Sequence, residues 1–287
     1  MDNENSNNKP GVLYVVATPI GNRDDITIRA LKTLEKVDLI AAEDTRHTGQ
    51  LLAHHHIKGH LISYHEHNEN KRTPELIHKL RTGASIALVS NAGTPSVSDP
   101  GYRLVKAAVA NHIDVTPVPG VSAAVTALSA AGMPTDAFVF VGFSAKKKAK
   151  RLQQLEALAG EPRTIIFFES PKRILAFLGE IKSIMGDRYA VLCREMTKIH
   201  EEFIRGPVSE IMSKLNTRPA VKGECTLLLA GCTDDQDTSI EAVRRELKRA
   251  LAETDDAMSH IAKTMAKKYG LSKSVVYDEA LKLKGKA

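Results

Sequence analysis

Two short stretches of this chain gather side chains that do acid–base and anion-holding chemistry. In "EDTRHT" the adjacent carboxylates of Glu43 and Asp44 stand two residues from Arg46, directly after the apolar run "DLIAA". In "CREMTKIHEE" a second apolar run gives way to Arg194, Glu195, Lys198 and His200. A placed carboxylate can accept or deliver a proton, and a guanidinium or ammonium can hold an anion or a developing oxyanion. A charged run after a strand is also what a salt-bridged surface looks like. The acid pair with an arginine so close is the harder of the two to read that way.

A third stretch, "SNAGTPSVSDPG" (residues 90–101), is a Gly- and Pro-rich loop between the apolar run "SIALV" and the helical pattern "YRLVKAAVANH". The carboxyl end of a strand is where α/β folds seat their ligands. No Gly-x-x-x-x-Gly-Lys-Ser/Thr and no Gly-x-Gly-x-x-Gly occurs between a strand and a helix. Pro95 and Pro100 occupy positions where a phosphate cradle needs free N–H groups. Gly93 permits close backbone approach, Pro95 stiffens the turn, and Thr94, Ser98 and Asp99 offer oxygens. A methyl donor with adenosine, amino-acid and sulfonium parts meets these demands, as do several other ligands. The triplet His54–His55–His56 does not read as a metal site, because consecutive residues on a helix point about 100° apart.

These residues need a frame. From Val12 the chain alternates strand-like runs ("VLYVVAT", "DLIAAE", "LISYH", "SIALVS", "DVTPVPG") with helical patterns, which predicts a largely parallel sheet covered by helices on both faces. The loops "TPIGNRDD", "EDTRHT", "SNAGTPSVSDPG" and "PGVSAA" then face one side and bring Asp24, Asp25, Glu43, Asp44 and Arg46 together. Asp24 or Asp25 is expected to cap the helix near Ile26, and Ser122 to stand at the N-cap of the next long helix. A second α/β region with a mixed sheet is expected from "FVFVGF", "RTIIFFES", "YAVLCREM" and "ECTLLLAG". The domain limits read as a lead-in over 1–10, an N-terminal α/β domain over 11–119, a C-terminal α/β domain over 120–231, and a helical extension over 240–287 after the acidic linker "CTDDQDTS".

With 287 residues, 43% of them hydrophobic, the chain is long enough for two ordinary cores. The polar, acidic start lacks the basic end and apolar centre of a signal peptide, and no run approaches a membrane span of about 20 apolar residues. Three scattered cysteines form no disulfide framework, so a cytoplasmic setting is expected. The net charge of +6 is uneven. "AKKKAKR" (Ala145 to Arg151) carries five positive charges, and Ile240 to Ala287 holds 11 Lys/Arg against 7 Asp/Glu. Such patches are solvated faces or footprints for a polyanion. In the tail, Ala266, Gly270 and Val276 have the offsets of a helix-turn-helix.

Taken together, "LYVVATPIGNRDDITIRALKTLEKVDLIAAEDTR", "SNAGTPSVSDPGYRLV", "PVPGVSAAVTALSAAG" and "CREMTK" closely resemble the tetrapyrrole-methylase-like family over about Gly11 to Gly231. Within it they resemble the subgroup that methylates the ribose 2′-hydroxyl of a cytidine in 16S rRNA with S-adenosylmethionine, and the tail matches that subgroup's extension. The resemblance implies two α/β domains with the cofactor between them, a homodimer, and the small ribosomal subunit as partner; the residue patterns above add the expectation of no membrane and no metal. By position, Pro19, Gly93, Thr94, Pro95, Val97, Ser122, Ala123 and Phe168 would contact the cofactor. Glu43 or Asp44 would accept the hydroxyl proton, with Arg46, Arg194 and Lys198 holding phosphate or the emerging alkoxide. Lys146, Lys147, Lys148, Lys150, Arg151 and Lys273 would track RNA. One position departs from the family pattern, which usually has Asp where this chain has Asn91. Two rival readings are a same-fold methyltransferase acting on a tetrapyrrole such as a corrinoid precursor, and a DNA-binding regulator with a ligand-sensing body.

Overall fold

A computed structural model describes residues 10–232, 240–253, 258–269 and 271–284. The lead-in, most of the acidic linker and Gly270 lie outside the described residues. The chain divides into two compact units: residues 1–157 with 163–230, and residues 158–162 with 231–287.

The first unit holds two five-stranded sheets. One is built from β1 (Leu13–Val16), β2 (Leu39–Ala42), β3 (Leu61–Ser63), β4 (Ile86–Val89) and β5 (Val115–Val118), in the order β3-β2-β4-β1-β5. Every pairing in it is parallel. Alternate side chains of β4 explain how it is covered. Ile86 and Leu88 join Leu76, Leu80 and Leu104 of α3 (Glu69–Arg81) and α4 (Tyr102–Ala110) in one core. Ala87 and Val89 join Ala30, Leu34 and Leu52 of α1 (Ile28–Lys36) and α2 (Thr45–His54) in another. A strand buried on both faces has no polar position, which is why "SIALV" reads as an unbroken apolar run.

Two local details differ from expectation. Neither Asp24 nor Asp25 caps α1; Thr27 does, its Oγ1 accepting from Ala30 N at 3.1 Å. The aspartates sit instead in a 3-10 turn (Arg23–Asp25) capped by Asn22. Helix α3 also begins a full turn before the expected "TPELIHKLRTG", with Pro74 inside it. Asn68 Oδ1 and its carbonyl organise that extra turn, accepting from His65 N and Arg72 N.

The second sheet contains β6 (Phe138–Phe143), β7 (Thr164–Glu169), β8 (Tyr189–Arg194), β9 (Glu202–Pro207) and β10 (Cys225–Leu229), ordered β6-β7-β10-β8-β9. Only the β6–β7 pairing is parallel, so the sheet is mixed. Strand β9 lies in the charged run after "CREMTK", where the sequence reading placed no strand. Helix α5 (Ala123–Ala131), with Ser122 at its N-cap position and Gly132 closing it at φ 71°, packs Ala127 and Leu128 against Ile166, Val191 and Leu228. Helices α6 (Lys148–Ala157), α7 (Ile174–Met185) and α8 (Val208–Asn216) complete the unit.

The second unit contains α9 (Ile240–Glu253), α10 (Met258–Tyr269) and α11 (Lys273–Lys284) around a core of its own. Val243, Leu247, Ala266, Val276 and Ala280 are buried there. Ala266 and Val276, two of the three helix-turn-helix positions, face that shared core.

Candidate active site

The loops quoted from the sequence are tied to one another by the backbone. Thr18 and Gly93 exchange both N–H···O bonds, at 2.8 and 2.9 Å. Thr94 Oγ1 donates to Val121 O at 3.3 Å. Asn22 N donates to Thr197 Oγ1 at 2.9 Å, joining the first loop to the one after β8. Beneath these bonds lies a single apolar cluster that contains Ile20, Val121, Ala123, Phe168, Met196 and Ala92. Five segments distant in sequence, each from a different motif, therefore meet in one place.

Around this cluster the charges are placed as follows. Asp44 is the N-cap of α2 and accepts from Arg46 N at 2.8 Å and His47 N at 3.4 Å, while its other oxygen meets the Arg46 guanidinium at 3.2 Å. The Arg46 side chain, then these backbone donors, hold its carboxyl below the usual range. A helix N-terminus stabilises the anion in the same sense, so Asp44 is a reluctant proton acceptor. Asn91 bonds to both residues of the acid pair: Asn91 N donates to Glu43 Oε2 at 3.1 Å, and Asp44 N donates to Asn91 Oδ1 at 3.2 Å. An amide at position 91 keeps the acceptor without adding a third negative charge beside two carboxylates.

Lys198 reaches toward the first loop. Its Nζ donates to Glu195 Oε1 at 2.9 Å and Glu224 Oε2 at 3.0 Å. Burial opposes its charge, but these two carboxylates outweigh burial and its pKa is raised. Lys198, Glu224, Asn91, His47 and Pro19 line one cavity of about 260 Å³, which brings four of the sequence-selected motifs to a common wall.

Arg194 does not join them. Its guanidinium is nearly buried, paired with Glu202 and donating to Lys222 O, so it braces β8 against β9 and cannot hold a phosphate in this conformation. Arg218 grips the same Glu202 from the other side at 2.5 Å. The Arg218 hydrogen bond, followed by that of Arg194, pulls the Glu202 carboxyl to about 2 from an ordinary 4.5. A depressed carboxyl stabilises the fold fully above its unfolded value and stops doing so as pH falls through the folded one. In acid titrations monitored by circular dichroism, Glu202→Gln should therefore lose the part of the unfolding transition that lies between about pH 4.5 and 2.

Arg151 is a second departure. It was expected on RNA, but its side chain makes two bonds to Glu180, at 2.6 and 2.8 Å, and caps the carbonyls of Ala145 and Lys146. It stiffens the start of α6 instead of facing a ligand. Lys146, Lys147, Lys148 and Lys150 are exposed around it, and Lys273 is exposed at the first turn of α11 in the other unit. His54 closes α2 and His55 follows as its C-cap, their rings meeting Asp24 and the Arg23 carbonyl.

The residues expected to hold S-adenosylmethionine divide between buried backbone and accessible side chains. Pro19, Gly93 and Pro95 are buried, and Val97 is exposed. Gly93 adopts φ +76°, a region that L side chains rarely enter. Ser122 makes no capping bond to its own helix, and it lines a cavity of about 510 Å³ with Gly120, Val121 and Asp25. One buried oxygen of Asp25, Oδ2, has no hydrogen-bond partner among the described residues. An orphaned acceptor beside an uncommitted hydroxyl fits a ligand that brings donors, as ribose hydroxyls and an amino group do. The half-buried Phe168 and the side chains of Val121 and Ala123 supply apolar surface for a purine. The residues present fit the group.

Asp99 belongs to this site too, although the sequence reading credited it only with a loop oxygen. Burial first, then the charge of Glu43, raise its carboxyl to about 6. Nothing in its spacing announces this, because the carboxylates that perturb it, Glu43 and Glu224, come from the loop after β2 and the loop before β10.

Residues 12–212 match the tetrapyrrole (corrin/porphyrin) methylases, and the chain belongs to that family. Its relatives include the ribosomal RNA small subunit methyltransferase I of Synechocystis, 46% identical over 275 residues that cover 95% of this chain and 98% of the relative. The protein of the same name from Escherichia coli O157:H7 is 44% identical over 288 residues, covering 98% and 99%. Among solved structures, a cobalt precorrin-4 methyltransferase of cobalamin biosynthesis superposes with a TM-score of 0.57 at 20% identity, covering 76% of this chain and 94% of that one. A uroporphyrin-III C-methyltransferase from Thermus thermophilus in complex with S-adenosyl homocysteine gives 0.52 at 17%, covering 76% and 96%. These two share the fold.

Proposed function

We propose that the protein transfers a methyl group from S-adenosylmethionine to the ribose 2′-hydroxyl of a cytidine in 16S ribosomal RNA, acting in the cytoplasm as a homodimer. The observation that carries this reading is the extent of the likeness to the small subunit methyltransferases. It runs through the helical unit at the carboxyl end, beyond the residues matched by the tetrapyrrole methylase family. A corrinoid-precursor enzyme has no need of that unit or of the exposed lysines at the start of α6.

When bound, S-adenosylmethionine supplies an electrophilic methyl on a cationic sulfur. Pro19, Gly93, Thr94, Pro95, Val97, Ser122, Ala123 and Phe168 are the residues that would hold it. The chain's own contribution is to orient the acceptor oxygen and receive its proton, since a ribose hydroxyl is a weak nucleophile until deprotonated. Lys198, charged and anchored by two carboxylates, and Arg46, exposed at the start of α2, are the cations available to the substrate backbone. Lys146, Lys147, Lys148 and Lys150 on the first unit, and Lys273 on the helical unit, are the further lysines that would meet RNA phosphates. Ribose lets the enzyme recognise RNA by shape and backbone.

Labelled S-adenosylmethionine, offered with isolated small ribosomal subunits, a tetrapyrrole precursor mix or duplex DNA, should place label on RNA ribose alone. Binding to the subunits should weaken steeply with salt, since each neutralised phosphate releases counterions. Label on the tetrapyrrole, or binding unchanged by salt, would overturn the assignment.

A further inference from the structure

A cavity of about 830 Å³ in the first unit is lined by residues of α3, α4 and the end of the Gly- and Pro-rich loop. Of the loop residues named from the sequence, Ser98, Asp99 and Pro100 line it, and none of the expected cofactor, catalytic or RNA contacts does. Asp99 lines it, with Tyr102, Arg103 and Lys106 from α4 and Glu66 and Glu69 from the segment that begins α3. The Tyr102 side chain is 64% exposed, unusual for an aromatic at a helix start, and Lys106 Nζ lies 5.9 Å from its ring centroid. Arg103 is held through Nε by Glu69 Oε1 at 2.6 Å, while its side chain stays 58% exposed. An open aromatic face, two exposed cations and a carboxylate within one cavity are the complement of a nucleotide: a base to stack, a phosphate to pair, a hydroxyl to deprotonate. The volume lies in the range of pockets that enclose ligands of this size.

We propose, on the strength of the ribose-methylation reading above, that this cavity seats the nucleotide that receives the methyl group, with Tyr102 stacked on its base and the Asp99 carboxylate accepting its hydroxyl proton. The O–H bond breaks and its proton passes to an Asp99 oxygen. The freed electron pair on oxygen forms the O–CH₃ bond, and the S–CH₃ pair remains on the sulfur of the methyl donor, leaving a neutral thioether. One cation and one carboxylate become two neutral groups, a change that a partly dry site favours.

Asp99 suits the role better than its neighbours. Asp44 is committed to Arg46 and the α2 backbone, and Glu43 accepts from Asn91 N. Around Asp99 stand Glu43 and Glu224, whose charges disfavour its ionisation, and the Ser90 side chain, which favours it. Across the cavity are Glu66, Glu69, Arg103 and Lys106. A carboxyl near 6 is ionised at neutral pH yet holds a proton better than an ordinary aspartate.

The test uses the full chain with small ribosomal subunits and two variants, Asp99→Asn and Tyr102→Ala. Asp99→Asn should bind subunits and S-adenosylhomocysteine as the parent does, but lose at least about 100-fold in single-turnover rate, with loss of the acid limb near pH 6. Its melting temperature at pH 8 should not fall. A carboxyl raised from its ordinary 3.8 to about 6 loses folding stability as pH rises between those values and carries the full cost at pH 8, and the amide removes that cost. Tyr102→Ala should weaken subunit binding about tenfold and leave S-adenosylhomocysteine binding unchanged. If the parent labels RNA ribose while Asp99→Asn keeps its rate and pH profile, or Tyr102→Ala binds subunits normally, the inference is wrong and the methylation reading stands. If the parent itself labels no ribose, the methylation reading has failed.

Discussion

Gly21→Ala should reduce methyl transfer to small ribosomal subunits by about 100-fold while leaving the melting temperature within a few degrees of the parent. Gly21, in the first loop, abuts the loop after β8. A Cβ there would stand 2.6 Å from Lys198 Cγ, 2.7 Å from Thr197 Oγ1 and 3.0 Å from the Met196 carbonyl oxygen. Two of those contacts are side-chain atoms that can rotate, but the third is backbone and cannot. The loops must therefore separate by part of an ångström. That separation strains the Asn22 N–Thr197 Oγ1 bond and moves the Lys198 ammonium away from its place beside Glu195 and Glu224. Displacements of this size at a reacting centre typically cost two orders of magnitude in rate. Gly21 itself is exposed and the close contacts are confined to this junction, so the fold should tolerate the change. Single-turnover methylation and a thermal melt on the same preparation give the two numbers. A variant that keeps full rate would show that the junction plays no part in catalysis.

The strands and the order of the motifs were legible in the sequence because both depend on local pattern. "SIALV" had to be buried on both faces, and "FVFVGF", "TIIFF" and "CTLLL" lie where their apolar runs put them. Asp44 and Arg46 were also legible, being two residues apart on one turn. What spacing could not convey was which charges are already neutralised by distant partners. Arg194 and Arg151 read as free cations, but Glu202 and Glu180 consume them from 8 and 29 residues away. Asp99 read as an ordinary loop oxygen because Glu43 and Glu224 reach it only through tertiary folding. Strand β9 was missed because it is an edge strand with charged residues, which resembles a surface loop. Asn91 gained most from the structure. As a lone departure from a pattern it had no reason; beside Glu43 and the Asp44 N–H it is the residue that accepts a hydrogen bond without crowding two carboxylates with a third.

Adjacent phenylalanines on β7 should respond to truncation in opposite ways, because neighbouring positions on a strand face opposite sides of the sheet. Phe167 is fully buried and packs edge-to-face on Phe177 of α7, centroids 5.2 Å apart. Phe167→Ala leaves a cavity that rigid neighbours in β10 and α7 cannot fill, at a cost of about 3–5 kcal/mol. For a unit of this size that corresponds to a fall of about 10 °C in melting temperature, and it removes a large share of a typical domain's total stability. Phe168 points the other way, into the cluster that contains Ile20, Val121 and Ala123, where it is only half-buried and meets Phe140 and Phe143 at 5.0 and 5.6 Å. Phe168→Ala removes less apolar burial, so its melting temperature should fall by less than half as much. Its binding of S-adenosylhomocysteine, followed by calorimetry at a temperature where both variants are folded, should weaken more than that of Phe167→Ala. The contrast tests whether the apolar cluster under the loops is part of the ligand site or merely more core. Equal losses of stability with unchanged ligand affinity would make it core; a split between the two variants would assign one face of β7 to holding the fold together and the other to the ligand.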